Sequence, residues 1–258
     1  MDPIGKRVSP NEKFGQVVVF DIWSNFAYFR RPYTTTNALT YNFIPRSSIE
    51  GLIGAVLGIL ITEVSDKLSN SKIGLGILSP IKKIPFSTIH THTDFWFEMQ
   101  AYLEGKTVKK RDFRARVSLE LLVEPKYRVY FSDPNLGKEL EERLKKHETI
   151  FTPYLGTSTM LADFMYVGTF DYNVTKRETS ELSSIIPYRD RFPDIAVEKQ
   201  MLYAAEQDIP GRISKDRDLL STYCAVYSPE GKKIKVRNVA VNAYADSSGE
   251  QNFVFIPA

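Results

Sequence analysis

Apolar residues fill both alternating faces of the stretch 16–24 (QVVVFDIWS), the pattern of a central strand covered on two sides. Residues 25–31 continue it with aromatics and then turn basic, and the threonine-rich stretch 34–42 reads as a loop. Pro45 keeps Ile44 extended, and Ser47-Ser48-Ile49-Glu50 spells a capping box. A helix is therefore predicted through Leu52, Ile53, Val56, Leu57 and Leu60. Gly51, Gly54 and Gly58 each cost it about 1 kcal/mol relative to alanine, so close packing against a neighbouring backbone is expected.

Residues 70–80 read as a glycine-bearing linker, 82–99 as one or two strands, and 103–117 as a basic stretch with little core pattern. A short aromatic strand, YRVYF at 127–131, precedes a second helix. In that helix Asp133 is the expected N-cap, Pro134 the first helical residue, and Leu136, Leu140 and Leu144 the apolar stripe. From residue 163 onward the chain reads as strands. The Ser228-Pro229-Glu230-Gly231 turn is expected to join 223–227 to 232–239 as a hairpin, with further strands at 239–244 and 252–256. The order strand, helix, strands, helix, strand fits an α+β class with a ferredoxin-like (RRM-like) β-α-β-β-α-β core. The expected division is a main domain over 1–168, with a basic insertion near 99–124, and a small β-rich region over 169–258.

Charge changes this picture by its placement. The net charge is only +3 with Lys+Arg 34 and Asp+Glu 31, which permits nucleic-acid binding without demanding it. Lys106, Lys109, Lys110, Arg111, Arg114 and Arg116 crowd one run, opposed there only by Asp112. That run reads either as a solvated loop or as an arm following a phosphate backbone. Arg30, Arg31, Tyr33 and Arg46 form a second group, with Arg46, Ser47 and Ser48 at a helix start suited to a phosphate and Tyr33 suited to stacking on a base.

Catalytic and metal chemistry finds little support in the pattern. His90 and His92, with Asp94 following, would share a strand face, but no third histidine or carboxylate cluster joins them. The glycines of 51–58 are not followed by Lys-Ser/Thr, so they form no Walker loop. The single cysteine, Cys224, excludes an internal disulfide. No metal or cofactor is expected. The polar N-terminus carries no secretory pattern, and residues 52–61, the longest apolar stretch, fall short of the ~20 that a membrane span needs. A cytoplasmic protein without a membrane partner is expected.

The run FDIWSNFAYFRRPYTTTNALTYNFIPRSSIEGLIGAVLGI, from Phe20, resembles the N-terminal signature of the CRISPR-associated Cas5 family: a strand, an aromatic–basic turn, then P-R-S-S-x-x-G-x-I-G-A-x-x-G. LLVEPKYRVYFSD and FTPYLGTSTMLADF resemble the family's third core strand and its P-x-L-G segment. The resemblance implies a ferredoxin-like RNA-binding subunit of the RAMP superfamily that caps the 5′ handle of CRISPR RNA in a type I Cascade complex. Its implied partners are that RNA, the Cascade backbone subunit, the large subunit and, through the complex, target DNA. The stretch 103–117 falls where the family carries a thumb-like hairpin. RNA contacts are then expected from Arg30, Arg31, Tyr33, Arg46, Ser47, Ser48, Lys109, Lys110, Arg111, Arg114 and Arg116. One branch of the family cleaves repeat RNA without metal, so a metal-independent endoribonuclease is the alternative reading. His90, His92 and His147 match no motif of that branch.

Overall fold

The strand Lys13–Trp23 (β1) is apolar on both faces because both are covered. Val18, Phe20 and Ile22 enter one core, Val17 and Val19 another. The computed structural model describes residues 13–34, 37–91, 95–106, 114–189 and 191–257. Two short strands follow, Phe26–Ala27 (β2) and Asn37–Ala38 (β3), then the helices Arg46–Leu57 (α1) and Val64–Lys67 (α2). Next come Lys72–Ile77 (β4), Lys83–Thr91 (β5), the helix Phe95–Leu103 (α3), Arg114–Val123 (β6), Lys126–Ser132 (β7) and the helix Gly137–Lys146 (α4). The remainder is Asp163–Lys176 (β8), Thr179–Leu182 (β9), Ile186–Tyr188 (β10), Ala204–Ile213 (β11), Leu219–Tyr227 (β12), Ile234–Arg237 (β13), Ala240–Asp246 (β14) and Gly249–Phe253 (β15).

The main sheet has six strands in the order β15-β14-β8-β1-β7-β4, with every neighbouring pair antiparallel. Helices α1 and α4 cover one face, burying Ile49, Ile53, Leu140 and Leu144 against Phe20, Ile22, Val129 and Phe131. The other face curls over its own aromatics: Tyr130 stacks on Phe253 at 4.4 Å, and Tyr172 and Tyr244 pack beside them. A bridge closes the curl into a barrel-like ring, the Ile256 amide donating to the Ile73 carbonyl at 2.7 Å. A smaller sheet, β10-β12-β11, lies over α1 and adds Ile209, Tyr223, Ala225 and Tyr227 to its core. The fold is α+β and rich in strands.

Several expectations are corrected by this arrangement. The stretch 70–80 is not a linker but contains β4, because Ile73, Leu75 and Ile77 alternate with two glycines. Each of those glycines faces a crossing backbone. A Cβ on Gly74 would sit 2.9 Å from the Val254 carbonyl oxygen, and one on Gly76 would sit 2.6 Å from that of Ser183. Gly76→Val should therefore cost about 2 kcal/mol or more, since backbone atoms cannot rotate aside; chemical denaturation measures it.

The capping box does not form. The N-cap of α1 is Pro45 with no side-chain cap, and Glu50 reaches Arg46 instead of the Ser47 amide. Helix α1 ends at Gly58, which adopts the left-handed C-cap (φ 74°). Within the helix Gly54 meets a close neighbour, the Val64 side chain, whereas Gly51 faces open space. The second helix starts later than expected, at Gly137. Asp133 still caps the preceding turn through the amides of Asn135 and Leu136.

The turn at 228–231 forms, but it does not make a hairpin: β12 pairs β10 and β11, whereas β13 pairs β9. Around the expected insertion, β5 pairs β6 over nine positions from Lys83↔Leu122 to Thr91↔Arg114, and α3 lies between the two strands. The division drawn at 168 falls inside β8, and β14 and β15 extend the same sheet.

Candidate nucleic-acid interface

The chain leaves β1 through β2 and makes a tight return between Phe29 and Tyr41. The Arg31 amide donates to Leu39 and the Tyr41 amide to Phe29, both at 2.9 Å. Arg30, bridged to Thr40, is exposed, and Tyr33 is 59% exposed. Tyr41, by contrast, is buried, and burial pushes its hydroxyl up to about 12; Tyr33, Glu206 and Asp208 add to the rise and Arg31 opposes it.

Arg31 points inward. Its guanidinium pairs with Glu206 of β11, donates to the Thr40 carbonyl at 3.2 Å and lies 5.4 Å from the centre of the Tyr41 ring. Glu206, 4% exposed, also accepts from the Asn42 amide and side chain, and Asn42 donates at 2.7 Å to the Tyr227 hydroxyl. The Tyr41 hydroxyl donates to the Asp208 carbonyl at 2.8 Å. Burial raises the Glu206 carboxyl above its ordinary range while Arg31 pulls it back.

The base of the β5/β6 arm joins the same return. Lys83 donates to Glu120 at 2.9 Å and to the Thr40 carbonyl at 3.2 Å, and the Thr40 amide donates to Glu120 at 3.4 Å. Beyond this anchor the arm leaves the core, as the exposure of Phe86 and Ile89 on β5 shows. Arg116 of β6 is exposed there, opposite Ile89. Arg114 opens the same strand two residues earlier.

The other expected site residues divide clearly. Arg46 is not at the surface as expected: at 1% exposure it donates to Glu50 at 2.9 Å, to the Ile256 carbonyl at 2.6 Å and to the Ser71 carbonyl at 2.8 Å, so its guanidinium is spent within the core. Ser47 and Ser48 are half-buried in the first turn of α1. Ser48 lines a largely apolar groove of about 400 Å³ with Leu52, Ile61, Phe151 and Tyr154. Lys109, Lys110, Arg111, His92 and Asp94 lie outside the described residues, and His90 belongs to β5. Sequence reasoning missed Thr40, Asn42, Lys83, Glu120 and Glu206. Their partners lie far apart along the chain, and no local pattern announces them. Gly156 had a signal, the P-x-L-G segment, whose backbone abuts Tyr28.

The family model described as "CRISPR-associated protein (Cas_Cas5)" matches residues 17–228. The chain belongs to the CRISPR-associated Cas5 family. No curated protein sequence matches it. Among solved structures, a CRISPR protein from Archaeoglobus fulgidus is 10% identical with a TM-score of 0.51, over 93% of this chain and 99% of that one. A chain of a CRISPR RNA-guided surveillance complex is 12% identical with a TM-score of 0.48, over 86% and 91%. A chain of the type III-B Cmr-beta complex bound to cognate target RNA is 15% identical with a TM-score of 0.47, over 85% and 86%. At such identities the likeness to the Archaeoglobus protein speaks for the fold.

Among the described residues, no helix is long and apolar enough to cross a membrane.

Proposed function

We propose that this chain is a non-catalytic, RNA-binding subunit of a type I CRISPR Cascade surveillance complex that caps the 5′ handle of the guide RNA and bridges the backbone and large subunits. The observation that carries the reading is the meeting of two basic elements at Thr40: the exposed Arg30–Tyr33 tip and the arm that bears Arg116. Single-stranded RNA asks for this combination of free cations along a backbone path and an open aromatic face. The order β1-α1-β4-β7-α4-β8, with β8-β1-β7-β4 side by side, supports reading the core as a ferredoxin-like unit. In an open RRM-like sheet, exposed aromatics would stack bases. Here the corresponding face holds Tyr130, Tyr172 and Phe253 buried, which directs RNA to the tip and arm instead.

Titration of the purified chain with a fluorescent repeat-derived handle RNA tests the reading. Arg30→Ala with Arg116→Ala should weaken binding about tenfold or more and lower the salt slope by about 1.4, roughly 0.7 for each phosphate no longer neutralised on a single strand. An unchanged slope overturns the assignment of these residues. Specific cleavage of repeat RNA by the wild-type chain in the presence of chelator would overturn the non-catalytic reading.

A further inference from the structure

The two arginines of the return are adjacent in sequence yet treated in opposite ways. Arg30 is exposed, whereas Arg31 is held by Glu206, the Thr40 carbonyl and the Tyr41 ring. Glu206 spends both carboxylate oxygens on this return, one on Arg31 and the other on the Asn42 amide and side chain. It comes from β11, in the smaller sheet, and is separated from the tip by most of the chain. A buried carboxylate with this geometry fixes where its cationic partner lies and cancels that partner's charge.

We infer that Glu206 is a positioning residue of the RNA-binding return. It neutralises Arg31 and uses it as a strut, so that Arg30 and Tyr33 are the groups presented to RNA. The inference deepens the proposed function and rests on it for its RNA consequence. Asn42 completes the strut by linking Glu206 to the Tyr227 hydroxyl of β12. The smaller sheet thereby acts on RNA at a distance, through the pairing of residues 29–31 with 39–41, without touching the ligand. The ion pair also makes a counting statement: Arg31 contributes no counterion release, although its sequence neighbour does.

Glu206→Gln separates these roles. It keeps the shape of the side chain and returns a net positive charge to Arg31. In the folded variant, the salt slope for handle RNA should steepen by about 0.7, the increment for one further cation on a single strand. Affinity at high salt should fall about tenfold as the strut loosens, because electrostatics no longer compensates for the disturbed geometry. A merely structural role would shift thermal stability and leave the slope alone.

Hydrogen exchange read without RNA gives an independent arm. The Arg31 and Tyr41 amides should exchange faster in Glu206→Gln, while amides of β1 keep their protection. Unchanged protection at Arg31 and Tyr41 overturns the positioning role whatever RNA does, and so does an unchanged slope with unchanged affinity. Faster exchange in a chain whose wild type binds no RNA overturns the RNA reading and leaves the strut standing. If Glu206→Gln fails to fold, Arg31→Lys removes the planar fork from the half-exposed side. The same two amides must then lose protection, or the inference falls.

Discussion

Gly156→Ala is expected to lower the melting temperature by about 10 °C or to prevent folding, in line with a loss of about 3 kcal/mol or more. Gly156 has φ +97°, and a Cβ built there would collide with the Tyr28 carbonyl oxygen and lie 2.6 Å from its carbon. Both obstacles are backbone, so no rotamer change relieves them. The approach is fixed from the other side as well, since the Tyr28 amide donates to Leu155 at 3.2 Å and Leu155 is fully buried. Any relief must move Tyr28 and hence the return that begins at Phe29. A surviving variant should therefore bind RNA less well than its residual stability suggests. Gly51→Ala is the matched control. Its Cβ meets nothing within 4 Å on an α-helix, so it should raise stability by about 0.5–1 kcal/mol. Thermal melts of the two variants side by side make the comparison.

Arg46→Met is expected to cost about 3–5 kcal/mol, the range for breaking a buried ion pair from one side. It strands the Glu50 carboxylate at 4% exposure and removes the donors to the Ser71 and Ile256 carbonyls. Burial already raises the Glu50 carboxyl above its ordinary range, with Arg46 the main opposing influence. Without Arg46 the rise grows. A carboxyl whose folded pKa exceeds its unfolded one binds its proton more tightly in the folded state. Its penalty is therefore absent at acid pH and appears as pH climbs from about 4.3 through the raised value. The variant should accordingly lose more stability at neutral pH than at mildly acid pH, relative to the wild type. Arg46→Met with Glu50→Leu should recover much of the loss, since an apolar pair of similar volume avoids the stranded charge. Denaturant titrations at two pH values measure both effects.

Local pattern carries some elements well and others poorly. β1 is legible because residues apolar on both faces have few other uses, and the α4 stripe is legible because Leu140 and Leu144 are spaced for one face. β4 is hidden because Gly74 and Gly76 look like linker residues; only the crossing of 183–184 and 254 reveals why bulk is barred there. The partners of β12 and β13 depend on which sheet each strand joins, and a turn motif between them cannot encode that. Within the site, Arg30 and Tyr33 are visible as an aromatic–basic cluster. Arg31 and Arg46 look equivalent to Arg30 by charge alone. What distinguishes these arginines is where each finds its partners: Glu206 for Arg31, and Glu50 together with Ile256 for Arg46. Sequence shows that a cation exists, whereas burial decides whether it is spent.

The seam between Ile73 and Ile256 has a consequence for biosynthesis. While the ribosome has yet to deliver the residues that close the ring, β4 stands at the margin of an unfinished sheet with Ile73 and Leu75 at hand. Such a margin is an adhesive template for other strands. Closure also joins residues far apart along the chain, a pairing of the kind that forms slowly. The nascent protein thus passes through a vulnerable interval until that pairing is made.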